Sequence, residues 1–147
     1  MRIDKIKLHN FRIYKGSNEI NFSQQKDKNI FLIAGKNGFG KTTFLTSLIW
    51  ALYGNLMGQV EDKYRIDIKS SGGYQNYLLS NLNKNVLEAY DKKEKGEACF
   101  SAEVHLVDVL IPSIPCKSVV IRRSFDLKTK NETLKIFLDG QENELTK

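Results

Sequence analysis

Gly35-Lys36-Asn37-Gly38-Phe39-Gly40-Lys41-Thr42 stands between an apolar run, Asn29-Ile-Phe-Leu-Ile-Ala34, and a stretch with helical spacing that begins at Thr42. The eight residues complete the pattern G-x-x-x-x-G-K-[ST], whose physical content is a loop that wraps phosphate. Gly35, Gly38 and Gly40 are placed where positive φ angles let successive N–H groups turn inward as an anion nest. Lys41 adds a point charge for the β- and γ-phosphates. The Thr42 hydroxyl is a ligand for Mg²⁺, and the free amides at the start of the following helix face the phosphates. ATP with Mg²⁺ is therefore the expected ligand.

The flanks support this reading. Asn29 to Ala34 is short, apolar and β-branched, as expected of a buried parallel strand. Thr42 to Tyr53 places Phe44, Leu45, Leu48, Ile49 and Leu52 on one helix face, and Gly54 supplies a stop.

Working outward, Ile3, Ile6, Leu8 and Phe11 alternate among polar neighbours, which predicts a strand from Arg2 to Phe11 with Glu19 to Phe22 as its short hairpin partner. Ser23 to Lys28 reads as a polar loop. Asn55 to Gly73 has mixed charge and little periodicity, so a long surface excursion is expected there. Tyr74 to Tyr90 carries apolar residues near helical spacing and is predicted as one helix. After the charged turn Asp91 to Glu97 the period changes from 3.6 to 2. Phe100, Ala102, Val104 and Leu106 then mark a long antiparallel strand. Ile111 to Pro115 breaks it, and Ser118 to Leu127 and Thr133 to Leu138 read as two further strands joined near Lys128 to Asn131. The fold class is α/β: a phosphate-loop strand and helix with an attached antiparallel meander, in a single domain spanning residues 1–147.

Bulk properties set looser bounds. The 147 residues carry a net charge of +6 with 41% hydrophobic content. The basic excess fits a phosphate-rich partner and equally fits ordinary solubility. Cys99 and Cys116 lack metal-type spacing and do not form a disulfide framework, so a reduced, cytoplasmic setting is expected. No apolar run approaches the ~18 residues of a membrane span, which predicts a soluble chain without a membrane partner. His9 and His105 stand isolated in sequence and read as structural.

The opening Ile-x-x-Ile-x-Leu-x-Asn-Phe-Arg, the Asn37-Gly-Phe-Gly-Lys-Thr42 loop and the helix ending Ala51-Leu-Tyr-Gly54 together resemble the amino-terminal half-head of SMC-like ABC ATPases. That group includes the RecF, SbcC and double-strand-break-repair ATPases. Within it, Ala51 to Gly54, Gly73 to Leu78 and Ile114 to Phe125 look most like DndD, the ATPase type of bacterial DNA phosphorothioation systems. The resemblance covers the whole chain, with its specific motifs in residues 3–12 and 35–54.

The resemblance implies a nucleotide contacted by Gly35, Lys36, Asn37, Gly38, Phe39, Gly40, Lys41 and Thr42, with Thr43 beside the α-phosphate. Arg12 aligns with a basic residue that lies near the nucleotide in relatives; a solvated strand-end arginine is the alternative. Phe39 departs from the small residue usual at its position and is expected to stiffen or partly cover the loop.

In this family a strand ending Asp-Glu, a glutamine loop and a Ser-Gly-Gly-Gln signature segment complete hydrolysis. None is present in convincing form. Val104 to Asp108 and Ile136 to Asp139 read as ordinary strands, and Ser71-Gly-Gly-Tyr-Gln75 as a glycine-rich helix entry. No catalytic residue is assigned. The expectation is an amino-terminal lobe whose coiled coil and carboxy-terminal lobe lie beyond Lys147. The implied partners are a second ATPase head supplying the missing motifs, DNA, and other modification or repair proteins. Lys63, Arg65 and Lys69 follow the helix where relatives place DNA-contacting bases, and Arg122 and Arg123, adjacent on a strand, point to opposite faces. A repair ATPase of RecF or SbcC type and a non-hydrolysing, nucleotide-gated interaction module are the alternatives.

Overall fold

A computed structural model describes residues 1–22, 30–92 and 96–143. The polar loop expected at Ser23 to Lys28, the middle of the charged turn and the last four residues lie outside the described residues.

Among the described residues, six antiparallel strands form one sheet in the order β2-β1-β3-β4-β5-β6. Strand β1 (Arg2–Phe11) pairs with β2 (Tyr14–Asn21) on one side and β3 (Cys99–Val107) on the other. Strands β4 (Ser118–Asp126), β5 (Asn131–Leu138) and β6 (Gln141–Glu142) continue from β3 as a meander. The period-2 pattern thus reads correctly, because each strand has one face on the core and the other in water. Strand β2 is longer than the short partner expected, since its alternation is mostly between polar side chains.

The inner face carries Ile6, Leu8, Phe100, Ala102, Val104 and Phe125, all nearly excluded from solvent. Helix α1 (Lys41–Tyr53) lies across it. Trp50 is the centre of the contact, with ring centroids 5.0 Å from Phe100 and 5.6 Å from Phe11, and Phe100 stacks on to Phe125 at 5.6 Å. Truncating Trp50 to alanine removes about 3–5 kcal/mol by the usual cost of a buried aromatic.

The helix forms where expected, and of its expected apolar face Phe44 is buried with Leu48 and Ile49 packed against the core, while Leu45 and Leu52 turn away. Its buried residues are Thr43, Phe44, Thr46, Ser47, Trp50 and Ala51, while Leu45 and Leu52 are 48% and 37% exposed. Small side chains at Ser47 and Ala51 let the helix approach the sheet closely, with Trp50 filling the space between. Leu45 and Leu52 look outward, and Leu48 stays half-buried against the core.

The apolar run before the loop differs more. Residues 30–36 form no strand. Phe31 still reaches Phe22, 5.4 Å between centroids, yet Ile30 and Leu32 are 90% and 89% exposed. A parallel strand exists only beside a neighbour that takes its N–H and C=O groups, and the sheet here is wholly antiparallel and includes none of these residues.

The expected surface excursion after α1 is helical. A 3₁₀ turn (Gly54–Leu56) leads into α2 (Met57–Val60) and α3 (Asp62–Ser70), anchored by buried Met57 and Tyr64. The single helix expected over Tyr74 to Tyr90 is two, α4 (Tyr74–Leu79) and α5 (Lys84–Asp91). Between them Asn81 and Asn83 are used by the end of β1: Arg12 N–H donates to Asn81 O at 2.7 Å, and Asn83 N–H donates to Asn10 O at 2.8 Å. Asn83 also caps α5, accepting from the Asn85 amide at 3.1 Å.

Candidate phosphate-binding site

The loop Gly35 to Thr42 is set on α1 by its own glycines and by the β1–β2 turn beneath it. Gly38 and Gly40 have φ of 85° and 94°, as the motif requires, whereas Gly35 is not in the left-handed region. Gly40 is the critical one. A Cβ there would lie 2.7 Å from Ile13 Cδ1 and 2.8 Å from the Tyr14 hydroxyl. Tyr14 Oη donates to Gly40 O at 3.4 Å, so the turn supports the helix start directly. Burial raises the Tyr14 pKa, keeping that hydroxyl a donor.

Gly40 O accepts the Phe44 amide at 2.8 Å, which makes Gly40 the N-cap and leaves the amides of Lys41 to Thr43 without an acceptor in the helix. Asn37, Gly38, Gly40, Lys41, Thr42 and Thr43 line an open depression of about 160 Å³ over this helix end. The Lys41 ammonium donates to Gly35 O and, at 3.0 Å, to Lys36 O, spanning the loop it belongs to. The Thr42 side chain is exposed at the rim, while Thr43 is buried against the sheet and offers only its amide. Phe39 is 71% exposed.

These features fit a triphosphate. The helix end with its uncommitted amides is the positive end of a 13-residue helix, Lys41 opens that helix, and the Thr42 side chain is exposed at the rim. The larger hollows lie elsewhere: one of about 480 Å³ is on the outer sheet face, lined by residues such as Lys7, Glu103 and Arg122.

Arg12 is adjacent to the supporting turn, but its side chain is engaged by α4 and the turn that follows it. Its Nε donates to Asn81 Oδ1 at 2.6 Å and its Nη2 to the Tyr77 hydroxyl at 3.3 Å. Arg122 and Arg123 do face opposite ways. Arg122 pairs with Glu103 on the outer face. Arg123 turns inward, 2.5 Å from Glu132 Oε1, and its Nε donates to Ala51 O at 3.3 Å near the end of α1. Glu132 in turn accepts from Tyr74 Oη at 2.7 Å, which accepts from Trp50 Nε1 at 3.1 Å. Burial and Glu132 together raise the Tyr74 pKa, so the phenol remains protonated and donates. This network fixes the phosphate-loop helix to the meander. Only the opposite facing of the two arginines is legible from sequence, because the partners come from four separate segments.

The strand-ending aspartates have structural work. Asp108 pairs with Arg2 at 3.0 Å, and Asp139 accepts the amides of Lys117 and Ser118 at 3.0 and 2.8 Å. Gly73 opens α4 with φ 118°, the helix entry expected of the glycine pair. Lys63, Arg65 and Lys69 are exposed on α3, where Arg65 pairs with Asp62 at 3.0 Å. No helix among the described residues is long and apolar enough to cross a membrane.

Comparison with known proteins gives the same direction. Over 69 residues, 46% of this chain, the sequence is 38% identical to the SbcC component of the nuclease SbcCD of Vibrio cholerae serotype O1. The matched stretch is 7% of that protein's length, so the chain corresponds to a small part of it. The AAA domain family model AAA_23 matches residues 5–147, nearly the entire chain, and the protein belongs to that AAA domain family.

Proposed function

We propose that this chain is the nucleotide-binding lobe of a DNA-processing ATPase of the SMC-like type, an ABC-type half-head that holds ATP and Mg²⁺ without completing a hydrolytic site. One observation carries the reading. Beside an intact phosphate loop, the run Ile30 to Ile33 belongs to no strand and is 45–90% exposed, with Phe31 and Ile33 near Phe44 and Leu48 of α1, whose Leu45 and Leu52 are exposed as well. Large apolar surface of this kind marks a site of association. A strand whose sheet is supplied by a further lobe accounts both for its sequence and for its lack of partners.

In this reading the amides of Gly38 to Thr43 and the Lys41 ammonium bind and orient the phosphates, with Lys41 exchanging the carbonyls of Gly35 and Lys36 for phosphate oxygens. Thr42 presents its hydroxyl to the cation that neutralises phosphoryl charge. The water-activating carboxylate and the signature segment come from the other lobe and from a second head. ATP binding is thereby coupled to head dimerisation and DNA engagement.

The likeness to the SbcC component of SbcCD supports a repair-type member. A phosphorothioation ATPase of DndD type is the second reading, supported by Ala51 to Gly54 and Gly73 to Leu78. Deleting the gene and assaying phosphorothioate linkages by mass spectrometry of digested DNA separates the two: their loss favours DndD, and their persistence with heightened sensitivity to strand breaks favours repair. For the half-head itself, the chain alone is expected to bind Mg-ATP while releasing no phosphate above background. A turnover of about 1 s⁻¹ or faster, ordinary for a complete enzyme, would place a catalytic carboxylate within these residues and overturn the proposal.

A further inference from the structure

On the outer face of the sheet, away from α1, His9 near the end of β1 meets Glu97 and Cys99 at the start of β3. Their ligand atoms all lie within 4.8 Å of one another. His9 is opposite Ser101 in the β1–β3 ladder, which puts Cys99 two residues further along the same face.

The hydrogen bonds around His9 Nε2 conflict. Asn10, buried and with φ 50°, accepts the Gly16 amide on Oδ1 at 2.9 Å. That contact fixes the side-chain orientation and directs Nδ2, a donor, at His9 Nε2 from 2.9 Å. On another side of the same nitrogen, Glu97 Oε2 lies at 2.7 Å. A neutral Nε2 accepts from Asn10 but sets its lone pair against a carboxylate. A protonated Nε2 satisfies Glu97 but opposes the amide hydrogens. His9 Nδ1 lies 3.0 Å from Ser17 Oγ, so Nδ1–H donating to that hydroxyl leaves Nε2 with its lone pair free. Asn10 Nδ2 has a second acceptor in Cys99 O at 3.3 Å. A cation shared by Nε2 and the Glu97 carboxylate removes the conflict.

We propose that His9, Glu97 and Cys99 form a three-ligand site for a zinc-type divalent cation. An imidazole nitrogen, a thiolate and a carboxylate suit zinc and disfavour magnesium or calcium, which take oxygen. Two anionic ligands balance the charge of the ion. The fourth position is open to the hollow on the outer face, and Ser17 supplies the outer partner that orients the histidine. Bound there, the ion staples β1 to the connection entering β3. His9 and Glu97 are 88 residues apart, so no local spacing announces the site.

The test uses the full chain, stripped with chelator and titrated with Co²⁺ as a spectroscopic probe and then with Zn²⁺. One equivalent of Co²⁺ is expected to give a thiolate-to-cobalt charge-transfer band and strong tetrahedral d–d absorption, both displaced by one equivalent of Zn²⁺. Cys99→Ser should abolish the charge-transfer band and, like His9→Gln, weaken Zn²⁺ binding by more than ~100-fold, whereas Ser17→Ala should weaken it about tenfold as an outer partner. Cys116→Ser, remote from the site, should change nothing. Circular dichroism on the near-isosteric Cys99→Ser separates lost binding from lost fold. Absence of stoichiometric binding, or a spectrum and affinity unmoved by Cys99→Ser, overturns the proposal and leaves His9 and Glu97 as a hydrogen-bonded pair.

Discussion

Removing Arg123 should loosen the phosphate-loop helix from the sheet that carries it. Its side chain is 12% exposed and that of its partner Glu132 is 19%, so this ion pair is largely removed from water. Among the described residues, Arg123→Ala leaves the Glu132 carboxylate with the Tyr74 hydroxyl, and it takes a donor from Ala51 O near the end of α1. Breaking a buried pair from one side costs about 3–5 kcal/mol. The residual exposure of Glu132 admits some water, so the lower end, about 3 kcal/mol, applies. For a domain of this size that is a fall in Tm of roughly 10 °C. Arg123→Lys keeps the charge but loses the fork that reaches both Glu132 and Ala51, and should cost about half as much. Thermal denaturation followed by circular dichroism measures both. Combining Arg123→Ala with Glu132→Ala should recover about 2 kcal/mol relative to the sum of the single changes, because the double variant no longer buries an unpaired charge. A single-variant cost under ~1 kcal/mol with no coupling would show that the network is a surface pair and that packing around Trp50 alone holds the helix.

Two further outcomes follow from named contacts. Gly40→Ala brings a Cβ to 2.7 Å from Ile13 Cδ1 in a left-handed conformation, so it should cost at least about 2 kcal/mol in a chemical denaturation curve and abolish ATP binding. Burial pushes the Glu103 carboxyl up, but hydrogen bonds from His105 and Arg122 and their charges outweigh it and hold its pKa below the usual glutamate value. Its contribution to stability is therefore complete above the unfolded value of about 4.3 and disappears as pH falls through the lower folded value. Glu103→Gln should be less stable than the wild type at pH 7, and urea titrations should show that gap narrowing below about pH 4.

The phosphate loop, α1 and the meander are legible in sequence because each is specified by local pattern: a motif with fixed glycines, a 3.6-residue period, and period-2 alternation. The face that α1 buries is only partly legible, through Phe44, Leu48 and Ile49. Its leucines mark the stronger apolar stripe, yet Thr43, Ser47, Trp50 and Ala51 meet the sheet, since close approach and one large aromatic decide the packing. Strand formation at residues 30–34 depends on a neighbour that local pattern cannot supply. Helix α3 is missed because Asp62 to Ser70 is mostly polar and anchors through Tyr64 alone among its buried residues. The break between α4 and α5 does have a signal, the Ser80-Asn-Leu-Asn83 cluster, which turn chemistry favours over a continuous helix. The histidine–glutamate–cysteine group has none, since strand pairing alone brings β1 to β3.

The central claim is that Gly35 to Thr42 binds a nucleoside triphosphate through Lys41. Isothermal calorimetry of Mg-ATP with the wild type and Lys41→Ala tests it directly. The charge-assisted contacts of Lys41 are worth about 3 kcal/mol, so the variant should bind at least ~100-fold more weakly while its thermal unfolding stays close to wild type. Equal affinity in the two proteins would contradict the account.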